Sequence, residues 1–306
     1  MRSMSVPQIG IFALGDGSHS FLEFALRENV RPEAVIRCVA DLHGPRTTVD
    51  AVNLVAGLRP ELWRTVAPAD VPPDVTSFER PLVGLDGYTM PATQADIFTW
   101  VAGASYDIVF DAATSIADSL LPVATIEREL TGWIYQKNRD LTGFQDGTKN
   151  PSLIDAPGIA LIADGLPGAG GSVLLLQQWK HHTDQWRGLP VGTQEQVIGR
   201  TKTDSIEFPE DRMPADSHVS RTTLEERGIE LDIFRRNTAY GSVSDHGTMF
   251  VGFAKDQHRL ARMLERMAGV GDGVRDALTR YTTPLTGAYY FIPALSSLNG
   301  FASPAA

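Results

Sequence analysis

Cysteine is nearly absent from this chain of 306 residues, which contains one, Cys38. A single cysteine excludes a disulfide within the chain, CxxC zinc knuckles and cysteine-ligated iron–sulfur clusters. A surplus of positive charge is missing as well, because 27 Lys and Arg residues against 37 Asp and Glu residues leave a net charge of −10. Since phosphate binding needs a basic face, we expect no nucleic-acid partner.

Long apolar runs and several common signatures are also lacking. No stretch reaches the roughly 18 apolar residues that a transmembrane helix needs, so we expect no membrane partner. The opening MRSMSVPQIGIFAL has neither a basic segment before a long apolar one nor a twin-arginine pair, which predicts a cytoplasmic protein. GxGxxG after a strand, GxSxG and GxxxxGK[ST] do not occur, so dinucleotide-binding, serine-hydrolase and P-loop functions are not indicated.

Short segments of alternating type follow one another through the first half of the chain. Strand patterns alternate apolar and polar residues, and helix patterns repeat apolar residues three and four positions apart. A capping box at Ser20 and Glu23 predicts the start of one helix. The predicted elements are a strand over 9–13, a helix from Ser20, a helix over 32–42, a strand over 51–58, and then helices over 60–66 and 93–104 and a strand over 106–110.

The second half repeats this alternation. Its predicted elements are strands over 172–179, 229–234 and 248–254 and helices capped by Thr193 and by Asp256. Strand–helix–strand, repeated in each half, is the split βαβ or ferredoxin-like pattern. We therefore predict an α+β fold with two ferredoxin-like domains and antiparallel sheets, the first over 1–130 and the second over 131–306.

Three clusters in the second half contain polar residues in unusual combinations. The first is LTGFQDGTKNP over 141–151. Gly143 and Gly147 would let the backbone approach a ligand closely, with Asp146 held between them. A surface turn capped by Asp146 explains the same pattern, and the residues alone leave both interpretations open.

The other two clusters contain a histidine and a pair of arginines. His218 lies in PADSHVSR, where an imidazole can face a cavity, although a lone histidine is more often a surface or structural residue. Alternation along DIFRRN sends Arg235 and Arg236 to opposite faces, and the one that faces inward needs an anionic partner, unless both are solvated. His181 and His182 follow a predicted strand, point apart and are interpreted as surface residues.

The segments around these clusters resemble the dye-decolorizing peroxidases. GFQDG at Gly143–Gly147 resembles the GxxDG motif of that family. The resemblance continues in the family's order through GGSVLLLQQWKHHTDQW, VIGRTK, DSHVSR, IFRRNTAYG and MFVGFAKD to TGAYYFIPAL, and covers nearly all of the second half. The first half is similar mainly in its opening and in VNLVAGLRPELW. The chain is most similar to the compact bacterial branch of the family.

The resemblance implies a haem b, one per chain, held mainly by the second domain. His218 matches the proximal ligand of the haem iron, and Asp146 matches the distal aspartate. Within IFRRN, the family pattern R-x-N matches Arg235 as the distal arginine and Asn237 as the nearby amide. Arg221 matches less closely, as a cation for a haem propionate. Because no CxxCH is present, the haem is expected to be bound non-covalently.

The activity implied by the resemblance is that of a haem peroxidase. Such an enzyme reduces hydrogen peroxide through a ferryl intermediate and oxidises an organic electron donor such as a dye or a phenolic compound. Asp146 would move a proton, and Arg235 would stabilise the developing negative charge and lower the pKa of Asp146. Two alternatives stay open: a non-catalytic haem-handling or iron-release protein of the same fold, and a haem-free ligand-binding module.

One departure from the family concerns the acid that accepts the second N–H of the proximal histidine. Arg280 lies about where that acid is expected, and Asp276 lies one helical turn earlier. If neither position supplies an acid, His218 would donate to a backbone carbonyl. The reduction potential of the iron would then be higher.

Assembly and the reducing substrate are less constrained by the sequence. We expect a homo-oligomer, since sheet-rich two-domain chains often assemble. The chain ends at LNGFASPAA soon after the last predicted strand, and so short a tail makes a role as cargo of an encapsulin shell doubtful. The native electron donor is left open.

Overall fold

The computed structural model describes residues 5–43 and 52–304. The first half begins with a 3-10 helix, Ile9–Ile11, and a second 3-10 helix lies at Leu85–Gly87. Its other elements, in chain order, are β1 (Ser18–Leu26), α1 (Pro32–Asp41), β2 (Val52–Leu58), α2 (Pro60–Val66), β3 (Leu82–Val83), β4 (Thr89–Met90), β5 (Ile97–Gly103), α3 (Tyr106–Leu120) and β6 (Ala124–Trp133).

The second half has 3-10 helices at Glu210–Arg212 and Ala277–Arg280. Its other elements are α4 (Ala156–Ala160), β7 (Ser172–His181), α5 (Thr183–Arg187), α6 (Val191–Ile198), α7 (His218–Thr222), β8 (Glu225–Glu226), β9 (Ile229–Glu230), β10 (Phe234–Arg235), β11 (Thr238–Gly241), β12 (His246–Ala254), α8 (Gln257–Met267), β13 (Thr282–Pro284), β14 (Ala288–Ile292) and α9 (Leu295–Leu298).

The two halves have the same strand order. In the first unit the antiparallel order is β6-β1-β5-β2, and in the second it is β14-β7-β12-β11. Numbered within each unit, both orders are 4-1-3-2, which is the ferredoxin-like arrangement. β2 pairs with β14 and β6 pairs with β11, so the two units join into one sheet that closes on itself. The predicted α+β fold with antiparallel ferredoxin-like units is confirmed.

The closed sheet is covered on its outer side and filled on its inner side. In the first unit, α1 and α3 pack on the sheet through a cluster that includes Ile36, Ile116 and Phe24. A second cluster draws large side chains from both units, among them Trp100 of β5 and Phe253 of β12. Because one core is shared by both units, the units are held in a fixed relation to each other.

Two segments predicted as helices are strands. β1 lies where the Ser20 helix was expected, and β5 lies inside the expected helix over 93–104. β5 is buried on both faces over its whole length and β1 over 21–24, which removes the apolar–polar alternation of a half-exposed strand there. Phe24 packs under the outer helices, whereas Phe21 packs inside the closed sheet, so helix-like spacing of apolar residues arose without a helix.

Two other predictions in the first half are also wrong in type. The segment over 106–110 begins α3 and is not a strand, because the apolar spacing of the helix continues through Val109, Ala113, Ile116 and Leu120. The expected strand over 9–13 contains a 3-10 helix instead. A window of five residues is too short to separate these alternatives.

Several predicted elements agree with the structure. α2 covers 60–66 as predicted, and α8 is capped by Asp256, whose side chain accepts from the backbone N–H of Arg259. The predicted strand over 51–58 corresponds to β2, although position 51 lies outside the described residues. β6 runs through the expected domain boundary at 130, so we propose that the boundary between the units lies after Trp133.

Within the described ranges, no helix is long and apolar enough to span a membrane.

Candidate active site

A cavity of about 1160 Å³, which includes the open space at its mouth, lies in the second unit. β7 and β12 form one wall, because alternate residues of a strand face the same side. Helices α7 and α8 and the loop after β6 complete it. The lining residues from these elements include Gln177, Trp179 and His181 of β7, Thr248 and Phe250 of β12, His218, Val219 and Thr222 of α7, and Met263 and Met267 of α8.

His218 is held at the cavity wall by an aspartate. It is the first residue of α7, which is capped by Ser217. The Nδ1 atom of His218 lies 2.7 Å from Oδ2 of Asp276, a fully buried residue. The other carboxylate oxygen of Asp276 accepts from the backbone N–H of Leu278 at 2.9 Å, which fixes the carboxylate. Nε2 of His218 makes no hydrogen bond to any described residue and is free to bind a ligand.

The acid partner of His218 is therefore Asp276 and not a residue at position 280. Arg280 is exposed and lies 3.4 Å from Asp216. Because Asp276 supplies the acid, the condition for a backbone-carbonyl partner and a raised reduction potential is not met. A carboxylate on Nδ1 instead makes the imidazole a more electron-donating ligand through Nε2.

Asp146 lies in a tight loop on the same cavity. Its backbone N–H donates to the carbonyl of Asn138, and its Oδ1 accepts from the backbone N–H of Gly147 at 2.7 Å. Gly143 and Gly147 both have positive φ angles, 87° and 71°, which side-chain-bearing residues adopt at a cost. The motif forms a turn in which Asp146 accepts from a backbone N–H, and the close approach of this backbone to a ligand stays a prediction. Asn237 donates a side-chain hydrogen bond to Asp146.

Burial raises the pKa of Asp146, although the charge of Arg235 acts in the opposite direction. The negative charge of Asp140 raises this pKa further, while hydrogen bonds from Gly147 and Asn237 lower it. The sequence predicted that Arg235 would keep the pKa of Asp146 low. The contribution of Arg235 has the predicted sign, but the net shift is upward because burial outweighs it.

Arg235 is positioned through its backbone. Its backbone N–H donates to Oδ1 of Asn150 at 2.9 Å, and its carbonyl accepts from Nδ2 of the same side chain at 2.8 Å. Nε of Arg235 is buried and has no hydrogen-bond partner in the part of the chain that the structure describes. Arg236 points the other way, donates to the carbonyl of Ile11 and lies over the ring of Trp100. Arg235 therefore faces the cavity as an available cation.

Arg221 does not reach the cavity. Its guanidinium donates to both carboxylate oxygens of Asp272, at 2.9 and 2.7 Å, and to the carbonyl of Arg266. Arg200, which is buried and paired with Glu207, does line the cavity. The structure thus brings together His218, Asp146, Arg235 and Asn237, and leaves Arg221 apart.

A buried polar network beside Asp146 was missed by the sequence analysis. The hydroxyl of Thr248 donates to Asp140 and lies 3.1 Å from Nε2 of His181. The His181 side chain is 7% exposed, so its interpretation as a surface residue is wrong. Burial acts to raise the pKa of Asp140, but His181, Thr248 and Thr142 lower it more, and the net shift is downward. Strand alternation with Gln177 and Trp179 is the signal that could have placed His181 inward.

Comparisons with known proteins agree with this arrangement. A family model described as Dyp-type peroxidase, C-terminal, matches residues 137–297. The dye-decolorizing peroxidase of Mycolicibacterium paratuberculosis is 31% identical over 94% of this chain and 80% of that relative, and the one of Rhodococcus erythropolis is 31% identical over 91% and 84%. The structure of DyPB from Rhodococcus jostii RHA1 is 31% identical, with a TM-score of 0.87 over 97% of this chain and 98% of that chain. A variant of that Rhodococcus jostii protein was solved in complex with heme.

The chain is an α+β protein of the class that has two ferredoxin-like units in one closed sheet, with a ligand cavity in the second unit. Within that class, the family model and the relatives that are more than 30% identical over most of their length all belong to one family. The chain belongs to the dye-decolorizing peroxidase family.

Proposed function

We propose that this chain is a haem b peroxidase that reduces hydrogen peroxide and oxidises organic donors such as dyes and phenolic compounds. The observation that carries the proposal is a pair of unsatisfied groups on one cavity. The imidazole of His218 has its Nδ1 bound to Asp276 and its Nε2 available. The guanidinium of Arg235 has a buried Nε that has no hydrogen-bond partner among the described residues. An axial nitrogen and a free buried cation are the groups that a peroxidase haem site needs.

The chain's own residues suit a non-covalently held haem. His218 would bind the iron through Nε2. Apolar side chains would contact the porphyrin, and they include Ile198, Val219, Phe250, Met263, Met267 and Leu278. We assign a propionate to Arg200 in place of Arg221, because Arg200 lines the cavity and Arg221 does not.

The residues around the cavity have separate roles in the proposed reaction. The bound haem supplies the redox iron at which the O–O bond of peroxide is cleaved. The carboxylate of Asp146 accepts a proton from one peroxide oxygen and returns it to the other. The guanidinium of Arg235 stabilises the negative charge that develops on the departing oxygen. Asn237 holds the carboxylate of Asp146 in place, and Asp276 holds the imidazole of His218.

The direct test is to load the purified chain with haem and add one equivalent of hydrogen peroxide. We expect a Soret band, a rapid change of that band on adding peroxide, and bleaching of a dye that depends on both. A Soret band that peroxide leaves unchanged would favour the haem-handling alternative. Failure to bind haem would favour the haem-free module.

Replacing Asp276 by asparagine is expected to raise the reduction potential of the bound haem. The neutral amide no longer makes His218 strongly electron-donating, so the ferric state loses stabilisation. A ten- to hundred-fold change in relative affinity corresponds to about 60 to 120 mV for one electron. A potentiometric titration with redox dyes measures it.

Asp216→Asn is the matched control for this measurement. Asp216 carries the same charge in the same region but lies against exposed Arg280 and not against His218. Its removal should leave the potential unchanged. Equal shifts in the two variants would show that the effect is one of general charge and would contradict the assigned role of Asp276.

Asp140→Asn is expected to extend peroxidase activity to lower pH. Asp146 must be ionised to accept a proton, so activity falls as the pH drops through its pKa. Since the charge of Asp140 raises the pKa of Asp146, removing that charge lowers the pKa of Asp146. The acid limb of the pH–activity profile then moves to lower pH. Thr248→Val removes a hydrogen bond to Asp140 but leaves the charge of Asp140 in place, so it should shift the acid limb of the profile less. The measurement is the pH profile of the rate with peroxide, and an unchanged profile in Asp140→Asn would refute this explanation.

A location in the cytoplasm and assembly into a homo-oligomer stay predictions from the sequence.

A further inference from the structure

One carboxylate bridges two of the cations that line the cavity. Arg200 and Lys149 both line it, whereas Glu207 does not. Oε1 of Glu207 accepts from Nη2 of Arg200, and Oε2 of Glu207 lies 3.2 Å from Nζ of Lys149. Among the described residues, neither cation has an ion pair with any other carboxylate. One negative charge therefore serves two positive charges, and the group of three side chains has a surplus positive charge.

The bridge joins two segments of the cavity wall. Arg200 and Glu207 pair across a short antiparallel turn, in which the backbone N–H of Phe208 donates to the carbonyl of Gly199 at 3.0 Å. Lys149 reaches the same carboxylate from the loop after β6. The carboxylate of Glu207 thus lies behind both cations, on the side away from the cavity.

Arg200 lies close to a further positive charge. Burial lowers the pKa of Arg200, the charge of Glu207 acts in the opposite direction, and the charge of Arg235 lowers this pKa further, so that the net shift is downward. Arg200 is 8% exposed, and a buried cation needs an anion beside it to offset its lost hydration. Within the chain, Glu207 is the anion that meets this need.

A haem carboxylate would contact the same cations. Guanidinium and ammonium groups bind carboxylates through charge-assisted hydrogen bonds, and haem b carries two propionates. The propionate assigned to Arg200 would meet a guanidinium that is already bound to Glu207. Two carboxylates on the same cations repel each other, so the propionate gains less free energy than it would gain from cations without a partner.

We propose that Lys149 binds a haem propionate together with Arg200, and that Glu207 competes with this propionate for both cations and so weakens haem binding. Glu207 stabilises the two cations before haem enters, and its contacts with them weaken when haem is bound. The chain would then release haem more readily than its cations alone would allow. This inference rests on the haem binding in the proposed function.

The test compares haem with haem dimethyl ester, in which both carboxylates are neutral methyl esters. Dissociation constants are measured from the Soret band in competition with a haem-scavenging protein, for the unmodified chain and for Glu207→Gln. Glu226→Gln is the matched control, because Glu226 also bridges two side chains, those of His258 and Arg262, at a similar exposure and does not line the cavity.

We expect the dissociation constant of haem to be roughly three- to ten-fold lower in Glu207→Gln, the usual effect of one partly exposed charge contact. The dissociation constant of the dimethyl ester should be unchanged, because the ester has no carboxylate with which Glu207 could compete. Lys149→Met should raise the dissociation constant of haem about two- to five-fold and leave that of the ester unchanged. Glu226→Gln should match the unmodified chain with both compounds.

An unchanged or raised dissociation constant of haem in Glu207→Gln would overturn the proposal, because Glu207 would then support the propionate and not compete with it. Equal gains with haem and with its ester would do the same. If Glu207→Gln does not fold, Lys149→Met decides, since equal affinity for haem in that variant and in the unmodified chain contradicts a propionate on Lys149. Failure of the peroxidase function is distinguishable, because it appears as a Soret band that peroxide leaves unchanged, whereas these affinities are measured without peroxide.

Discussion

Arg235→Leu is expected to slow the reaction of the haem-loaded chain with hydrogen peroxide by about 10²- to 10³-fold. Nε of this guanidinium has no hydrogen-bond partner among the described residues, and leucine removes its positive charge from the cavity. Leucine keeps the backbone hydrogen bonds to Asn150, because these use the N–H and carbonyl of residue 235. The fold and the Soret band should therefore survive. Stopped-flow absorbance at increasing peroxide concentration gives the rate constant.

Two variants make this result interpretable. Arg27→Leu removes the same side chain at an exposed position that does not line the cavity, and should react at the unmodified rate. Asp146→Asn removes the proton acceptor, and its rate constant compared with that of Arg235→Leu shows how much each group contributes to the reaction with peroxide. We expect Arg235 to matter at least as much as Asp146 for O–O cleavage, so an Arg235→Leu variant that reacts at the unmodified rate would disprove its role.

His218→Ala is expected to abolish the Soret band of the purified chain at ordinary haem concentrations. Loss of an outer partner of a metal ligand already costs about 10- to 100-fold in affinity, and loss of the ligand itself should exceed 100-fold. The absorbance spectrum during haem titration measures the loss. His182→Ala removes a histidine whose contact is with Thr283, outside the cavity, and should bind haem normally.

The same substitution also leaves a buried carboxylate without its partner. Asp276 is fully buried and would keep the backbone N–H of Leu278 but lose the imidazole. The expected cost to the free energy of unfolding is about 1–3 kcal/mol. Adding Asp276→Asn to His218→Ala should recover part of that stability without restoring haem binding. If the double variant bound haem, another group would be the iron ligand.

The sequence predicted which segments meet at the cavity better than it predicted local structure. Asp146, His218 and Arg235 lie in motifs whose order along the chain matches the family, and the fold brings them to one cavity. Their chemical roles stay predictions. Local patterns failed for β1 and β5 because a strand buried on both faces has the composition of a buried helix.

Contacts between distant segments were the part that the sequence could not supply. The partner of His218 is 58 positions away, and only the fold brings Asp276, the residue before the 3-10 helix at Ala277–Arg280, to Nδ1. The pKa of Asp146 depends on Asp140 and on burial, neither of which a motif encodes. Arg221 was misjudged for the same reason, since Asp272 binds its guanidinium.

Joining the two units through β2–β14 and β6–β11 has a consequence for biosynthesis. The four strands of the first unit can pair among themselves as soon as β6 has been made. Both edges of that sheet then present unpaired backbone groups until β11 and β14, far downstream, have been synthesised. Open edges of this kind template aggregation between nascent chains. Slow translation of the second half would therefore lower the yield of native protein, and chaperones that shield strand edges should protect the growing chain.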